Sequence, residues 1–250
     1  MESLLGTTVM LVAHPDDEVI AFGALIQRMK KAIVVFATDG APRDQHFWKD
    51  YGSRDAYAQV RRQEAQQALR IVGAQPIFLA DRIEGGIADQ ELFRRLPQAI
   101  KGFEEVVAEA NPGCLLTLTY EGGHPDHDAC CFVTSCVGHR RRLPAWESPL
   151  YHRRSDGSPA MQTFSQRTGA EIECHAAGEQ FQKKMEMFRT YASQKLTLDG
   201  FHPEIEQFRP MAEHDFTRPP FPWKLNYEHW QWQMTGEEVS KEFASYLKES

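Results

Sequence analysis

Four apolar runs recur in the first half of the chain, each separated from the next by a stretch with helical spacing, and this alternation restricts the fold more than any other feature. "TTVMLVA" (7–13), "AIVVFAT" (32–38), "PIFLA" (76–80) and "GCLLTLTY" (113–120) read as strands. They are apolar at successive positions, which suits strands covered on both faces. Between them lie "GALIQRMK" (23–30), a short helix; 53–73, a helix with Ser53 as N-cap and Gly73 as stop; and 90–110, a helical pair divided at Pro97. The alternation predicts an α/β fold, a Rossmann-like three-layer sandwich with a mostly parallel sheet.

After residue 145 the pattern changes. "ESPLYHRR", "MQTFSQ" and "AEIECHAA" read as short strands of a C-terminal β-meander, followed by a helix over 178–194 and a closing helix at "TGEE", where Thr235 and Glu238 have capping-box spacing. Two long loops, 39–55 and 208–232, remain; the second is rich in proline and aromatics, and either lines a binding site or clamps the C-terminal arm to the body. No repeat, low-complexity tract or linker divides the 250 residues, so a single domain over 1–250 is expected.

Ligands of doubly wound sheets bind beyond the carboxyl ends of the strands. "HPDDE" follows the first strand and "EGGHPDHD" the fourth, so both fall on that edge. His14 and Asp17 are close enough for one turn to aim both at a single centre. His127 supplies a third ligand if the two strand ends are neighbours. Two imidazoles and one carboxylate with open positions form a catalytic zinc pattern, although Fe2+, Mn2+ or Co2+ suit the same donors. Asp16 is left off the metal and is placed to accept a proton from water as a general base. His124 can face the cavity as a hydrogen-bond donor or acid, with Asp126 orienting an imidazole from behind. Either motif alone would be an ordinary turn or helix start; on matching strand ends they form a site.

"AHPDDE" and "HPDH", together with "TDG" (38–40), "RRQEAQQALRIVG" (61–73) and "YASQ" (191–194), resemble the LmbE/PIG-L-like family of zinc-dependent N-acetylglucosaminyl deacetylases over roughly residues 7–200. The resemblance implies that His14, Asp17 and His127 bind zinc, that Asp16 is the general base, that His124 steadies an oxyanion, and that Arg61 and Asp81 approach the sugar. It implies hydrolysis of an acetyl or similar small acyl group from an N-acylated amino sugar, such as a soluble N-acetylglucosamine conjugate. Some members carry an aromatic shortly before the second motif; here "YEGGH" leaves Tyr120 displaced. In the 39–55 loop, Trp48 stands among Arg43, His46, Phe47 and Tyr51, a mix suited to stacking on a sugar ring.

Composition excludes other classes. A net charge of −7 disfavours nucleic acid and anionic membrane surfaces as partners. Five cysteines without a C-x-x-C pair suit a reducing compartment. The opening "MESLLGTTVMLVAHP" reads as a first strand rather than a secretion signal, and with no membrane anchor evident the expected location is cytoplasmic. Two rivals share some of these features. A non-haem iron oxygenase uses the same two-histidine, one-carboxylate set, but on an all-β scaffold. A non-catalytic Rossmann-like binding module would need a glycine-rich phosphate turn where this chain has three acids.

Overall fold

The apolar runs pair side by side. The computed structural model describes residues 2–249. In chain order it contains α1 (Glu2–Leu5), β1 (Thr7–Val12), α2 (Asp17–Phe22), β2 (Lys31–Phe36), α3 (Arg54–Ile71), β3 (Gln75–Phe78), α4 (Leu96–Ala110), β4 (Cys114–Leu118) and α5 (Pro125–Arg141). The second half adds β5 (Ala145–Ser148), β6 (Tyr151–Arg153), β7 (Pro159–Met161), β8 (Ile172–His175), α6 (Gly178–Thr190), α7 (Lys195–Leu198), β9 (Ile205–Pro210), α8 (Asn226–His229) and α9 (Gly236–Glu249). The main sheet has seven strands in the order β3-β2-β1-β4-β5-β9-β8. Its first five members are parallel, whereas β9 runs against β5 and β8 against β9.

The period-two geometry of a strand sends alternate residues to opposite faces. Val9, Leu11, Ile33 and Val35 therefore meet Ile100, Phe103, Val133 and Phe243 from α4, α5 and α9. Met10, Val12, Val34 and Phe36 meet Phe22, Leu69, Met187 and Phe188 from α2, α3 and α6. Burial of each such side chain contributes roughly 1.5–3 kcal/mol. The sheet is thus covered on both sides, as continuous apolar strands require. Ser53 caps α3 by accepting from the Ala56 N–H at 3.1 Å. Thr235 and Glu238 exchange the two bonds of a capping box at 2.8 and 3.2 Å.

The strand order reverses between β1 and β4, which lie side by side from Thr8↔Cys114 to Leu11↔Thr117. β2 and β3 extend the sheet in one direction and β4 and β5 in the other. That switch point opens a crevice at the carboxyl ends of β1 and β4, the two ends that carry the histidine motifs.

Three elements differ from the sequence expectation. The first helix is not at 23–30 but starts inside the motif, with Asp17 and Glu18 in the first turn of α2 and only a 3-10 turn at Ile26–Arg28. The expected meander is split. β5 joins the parallel sheet, β6 and β7 form a separate hairpin, and only β8 lies at the sheet edge. Finally, the loop placed at 208–232 begins with strand β9, inserted between β5 and β8. Its polar residues obscured it, because their charges are buried in pairs: Glu206 with Lys184 at 2.6 Å and Arg209 with Glu147 at 2.7 Å.

Lys184 and Glu206 are both withdrawn from water, and Glu206 also accepts the backbone N–H groups of Ala24 and Leu25 at 2.6 and 2.9 Å. This pair ties α6 and β9 to the end of α2. Removing one partner of a buried pair strands the other, so Lys184→Ala is expected to cost about 3–5 kcal/mol, measured as a lower midpoint in urea unfolding with an unchanged slope.

Candidate functional site

At the end of β1 the chain turns sharply into α2, and the backbone of that turn fixes the two aspartates in different ways. Asp17 Oδ2 accepts the N–H groups of Ala13 and His14 at 3.0 and 2.8 Å. Its Oδ1 stands 3.2 Å from His127 Nε2. Asp16 has φ 137°, a region that non-glycine residues rarely adopt. Its N–H is held by Glu18 Oε2 at 3.1 Å, and its carboxylate pairs with Arg61 at 2.8 Å. Arg61, carried by α3 and buried, also donates to the carbonyls of Gly40 and Pro15, so it clamps both ends of the turn.

The β4 side is built on the first turn of α5. His124 is the N-cap: its Nδ1 accepts the Asp126 N–H at 3.1 Å, which leaves Nε2 to carry the proton in the neutral ring. The fully buried Asp126 carboxylate accepts from Gln90 and Leu92 N–H at 2.6 and 3.0 Å, and lies 3.4 Å from His14 Nε2. His127, one helical turn on from His124, projects its Nε2 to within 3.3 Å of His14 Nδ1. Gly123 is required here, since a Cβ would lie 2.0 Å from the Tyr151 carbonyl oxygen. Glu121 holds the other side by accepting the N–H groups of Leu150 and Tyr151 at 2.6 and 2.9 Å.

His14, Asp17 and His127 therefore converge as the sequence spacing requires. His127 Nε2 lies 3.2 Å from an Asp17 oxygen and 3.3 Å from His14 Nδ1, and His14 Nδ1 lies 3.7 Å from the second Asp17 oxygen. Tetrahedral metal ligands with bonds of 2.0–2.1 Å sit about 3.3 Å apart. The two contacts of His127 Nε2 match that spacing, whereas His14 approaches the other Asp17 oxygen, which two backbone amides already occupy; His14, His124 and His127 likewise bring a nitrogen each within reach of one centre. The other nitrogen of His14 faces Asp126 and, at 3.6 Å, Asp89, the carboxylate backing that metal-ligating imidazoles usually have. His127 Nδ1 has no partner.

The charges shift one another. Burial would raise the Asp17 carboxyl, but His127 and His14 hold it well below the usual carboxylate range. Burial does raise Asp16, to about 6, against the pull of Arg61. Burial would depress His14, yet Asp89, Asp126 and Asp17 raise it well above its ordinary value. His124 moves the other way, lowered by burial and by the neighbouring His14. Adjacent aspartates thus differ, one firmly ionised and one poised near neutrality.

These groups floor a cleft of about 420 Å3. Two expected sugar contacts fall outside it. Asp81 is exposed and forms a bidentate pair with Arg62. Trp48 turns back to donate its indole N–H to Pro42 O at 3.1 Å, so its neighbour Phe47 faces the cleft instead. Arg61 lines the wall, but its guanidinium is committed to the turn. Tyr120 donates to Arg218 O at 2.9 Å and lies off the cleft. Sequence reasoning missed Asp89, whose buried Oδ1 lies 3.5 Å from His124 Nε2 and 3.6 Å from His14 Nε2, as well as Tyr151, Phe201, Trp230 and Trp232. Only the aromatic richness of 208–232 pointed toward the two tryptophans. A larger hollow of about 950 Å3 is lined by Arg209 and His214, both of which are bound to the Glu147 carboxylate.

A parallel α/β sheet thus brings two imidazoles and two carboxylates together at its switch point. The chain belongs to the GlcNAc-PI de-N-acetylase (PIG-L) family, whose model matches residues 9–137. No curated protein matches it. Among solved structures it is similar to an antimicrobial pseudoaglycone deacetylase, with 22% identity, TM-score 0.63, and coverage of 82% of this chain and 96% of that one. It is also similar to the zinc-inhibited form of a teicoplanin deacetylase, with 17% identity, TM-score 0.62, and coverage of 84% and 99%. A 4-carboxy-2-hydroxymuconate hydratase from Pseudomonas putida shares the fold at 14% identity and TM-score 0.53, with coverage of 84% and 97%. No helix among the described residues is long and apolar enough to cross a membrane.

The donor triangle yields a direct expectation. His14→Ala, Asp17→Ala and His127→Ala should each abolish tight Zn2+ binding in equilibrium dialysis. Asp126→Asn, which only backs His14, should weaken it about 10- to 100-fold. Asp16→Asn should leave stoichiometric binding in place, with circular dichroism confirming that each variant is folded.

Proposed function

We propose that the chain is a metal-dependent N-deacetylase that hydrolyses the acetyl amide of an amino sugar, with zinc as the metal and a soluble N-acetylglucosamine conjugate as the substrate. The observation that carries this is the convergence of His14, Asp17 and His127 at the β1–β4 switch point with Asp16 beside them and off the triangle. Family membership supports it. The shared fold does not choose the chemistry, since it also carries a hydratase. Five free cysteines accord with a reducing, cytoplasmic setting.

His14, Asp17 and His127 would hold the divalent cation, which when bound supplies Lewis-acid polarisation of a carbonyl and acidification of water. Asp16 takes the proton of the attacking water. A carboxyl raised to about 6 accepts it near neutral pH and can return it to the departing amine. Arg61, permanently protonated, keeps that carboxylate aimed and relays no proton. His124, whose Nδ1 is occupied by the Asp126 N–H, presents its Nε2–H to the oxyanion that develops on the amide carbonyl. The Asp126 N–H on Nδ1 orients the ring, and Asp89, 3.5 Å from Nε2, would have to yield that N–H to the oxyanion. The amide C–N bond breaks, and acetate and a free amine leave.

Acetate release from N-acetylglucosamine and its simple glycosides, measured on chelated and Zn2+-reloaded protein, tests the assignment. Asp16→Asn should lower kcat by about 10²–10⁴ with metal retained. His124→Ala should lower kcat by about 10²–10³ with a smaller change in KM. Turnover that persists in both variants would reject these roles, and reloaded wild-type protein releasing no acetate would reject the activity.

A further inference from the structure

Cys131, Glu147 and His214 come from three separate stretches of chain, α5, β5 and the irregular segment after β9, yet a ligand-type atom of each lies within 4.8 Å of those of the other two. The Glu147 carboxylate is divided between two tasks. Its Oε1 accepts from Arg209 at 2.7 Å, whereas Oε2 is turned to His214 Nε2 at 2.6 Å and to Cys131 Sγ at 4.0 Å. The arginine behind one oxygen fixes the plane of the carboxylate and aims the other at the imidazole and the thiol. Cys131 and Glu147 are fully buried, and His214 opens onto the hollow of about 950 Å3, so a cation has an entry path and a position left for water. On α5, Asp128 and Thr134 flank Cys131 three residues to either side, and each keeps a buried oxygen without a partner. This side of the helix carries polar capacity that its protein neighbours leave unused.

Thiol sulfur, imidazole nitrogen and carboxylate oxygen form the donor set of zinc and of other thiophilic divalent ions. Bonds of about 2.3 Å to sulfur and about 2.0–2.2 Å to nitrogen and oxygen place such donors roughly 3.3–3.6 Å apart. Cys131 and Glu147 have only a few tenths of an ångström to close, while His214 has to withdraw from Glu147 by somewhat more. That movement is open to it, because residues 211–215 belong to no helix or strand. Coordination replaces the Cys131 S–H bond with a sulfur–metal bond and releases the proton to water, and His214 binds through Nε2 with its own proton on Nδ1.

We propose that Cys131, Glu147 and His214 form a second Zn2+ site, sharing no residue with the groups at the cleft floor, in which the ion fastens the segment after β9 to α5 and β5. It fills after the tight equivalent, because the Arg209 guanidinium stands against the same carboxylate and a buried thiol has to lose its proton. The site is independent of the reaction assigned to the cleft.

The cleft-floor donors include no sulfur, so a thiolate-to-metal charge-transfer band reports the second site alone. The test is Co2+ titration of metal-free protein followed by absorption, with equilibrium dialysis against Zn2+ to count the ions bound. Wild-type protein is expected to develop the band and to take up one more equivalent of Zn2+ than either Cys131→Ser or His214→Gln. Cys131→Ser should lose the band, and His214→Gln should weaken the Co2+ affinity behind it at least about tenfold. His127→Ala, which loses the tight equivalent, and Cys136→Ser should both keep it. Circular dichroism checks folding, and His214→Gln, at the most accessible of the three positions, decides the matter should Cys131→Ser fail to fold. A wild-type spectrum without the band, a band that survives Cys131→Ser, or equal Zn2+ counts in the wild type and both variants would overturn the site and leave the three side chains as a structural tie around Glu147.

Discussion

Seven ionisable side chains, His14, Asp16, Asp17, Asp89, His124, Asp126 and His127, are packed out of water where β1 and β4 end, and the site stands because each is held by another or by a backbone amide. Isolated charges in such a place would cost more than the fold could offset. Two features reduce the cost. The carboxylates of Asp17 and Asp126 each accept two backbone N–H groups, which stabilises the ionised form without any cation. The remaining Asp17 oxygen and the facing ring nitrogens lie 3.2–3.3 Å apart, so carboxylate and imidazoles stabilise one another out of water.

The strained φ of Asp16 depends on a second network behind it. A residue held in a sparsely populated backbone region costs on the order of 1–3 kcal/mol and persists only where its surroundings over-determine it. Here Glu18 accepts both the Asp16 N–H and the Tyr191 hydroxyl, and burial pushes its carboxyl up to about 8. Glu64 on α3 accepts the N–H and hydroxyl of Ser193 at 2.9 and 2.6 Å, and Gln194 donates to the Tyr57 hydroxyl. The segments "RRQEAQQALRIVG" and "YASQ", far apart in sequence, thus form one brace that fixes Arg61 and α2 around Asp16.

Much of the framework was legible because doubly buried strands leave no polar alternation to misread: β1 and β4 lie within the apolar runs, and β2 and β3 start one residue before theirs. The sequence left the meeting of the His14 and His127 motifs conditional on neighbouring strand ends, and the pairing of β1 with β4 meets that condition. What escaped was set by contacts between distant segments. Strand β9 was hidden by Glu206, Gln207 and Arg209, polar residues whose burial depends on Lys184, Glu173 and Glu147. Asp89 and Asp81 both follow β3, and nothing local distinguishes the one that turns inward, anchored where its N–H reaches Asp39. Phe47 and Trp48 are adjacent, and a 3-10 turn rather than composition decides which of them faces the cleft.

The division of labour between Asp16 and Asp17 is likewise a matter of backbone geometry rather than residue type. Both are aspartates, both are buried, and they are neighbours. Asp17 lies in the first helical turn, where the amides of Ala13 and His14 saturate one oxygen and direct the other at His127. Asp16 lies one residue earlier, at positive φ, so its side chain leaves the turn in a different direction and meets Arg61 from α3. A guanidinium partner permits a carboxylate to gain and lose a proton without losing its place, because Arg61 stays anchored by Pro15 and Gly40 in either state. A carboxylate tied to backbone amides and imidazoles has no such freedom. The same clamp that holds the turn at positive φ would keep Asp16 in position through the proposed proton-transfer cycle.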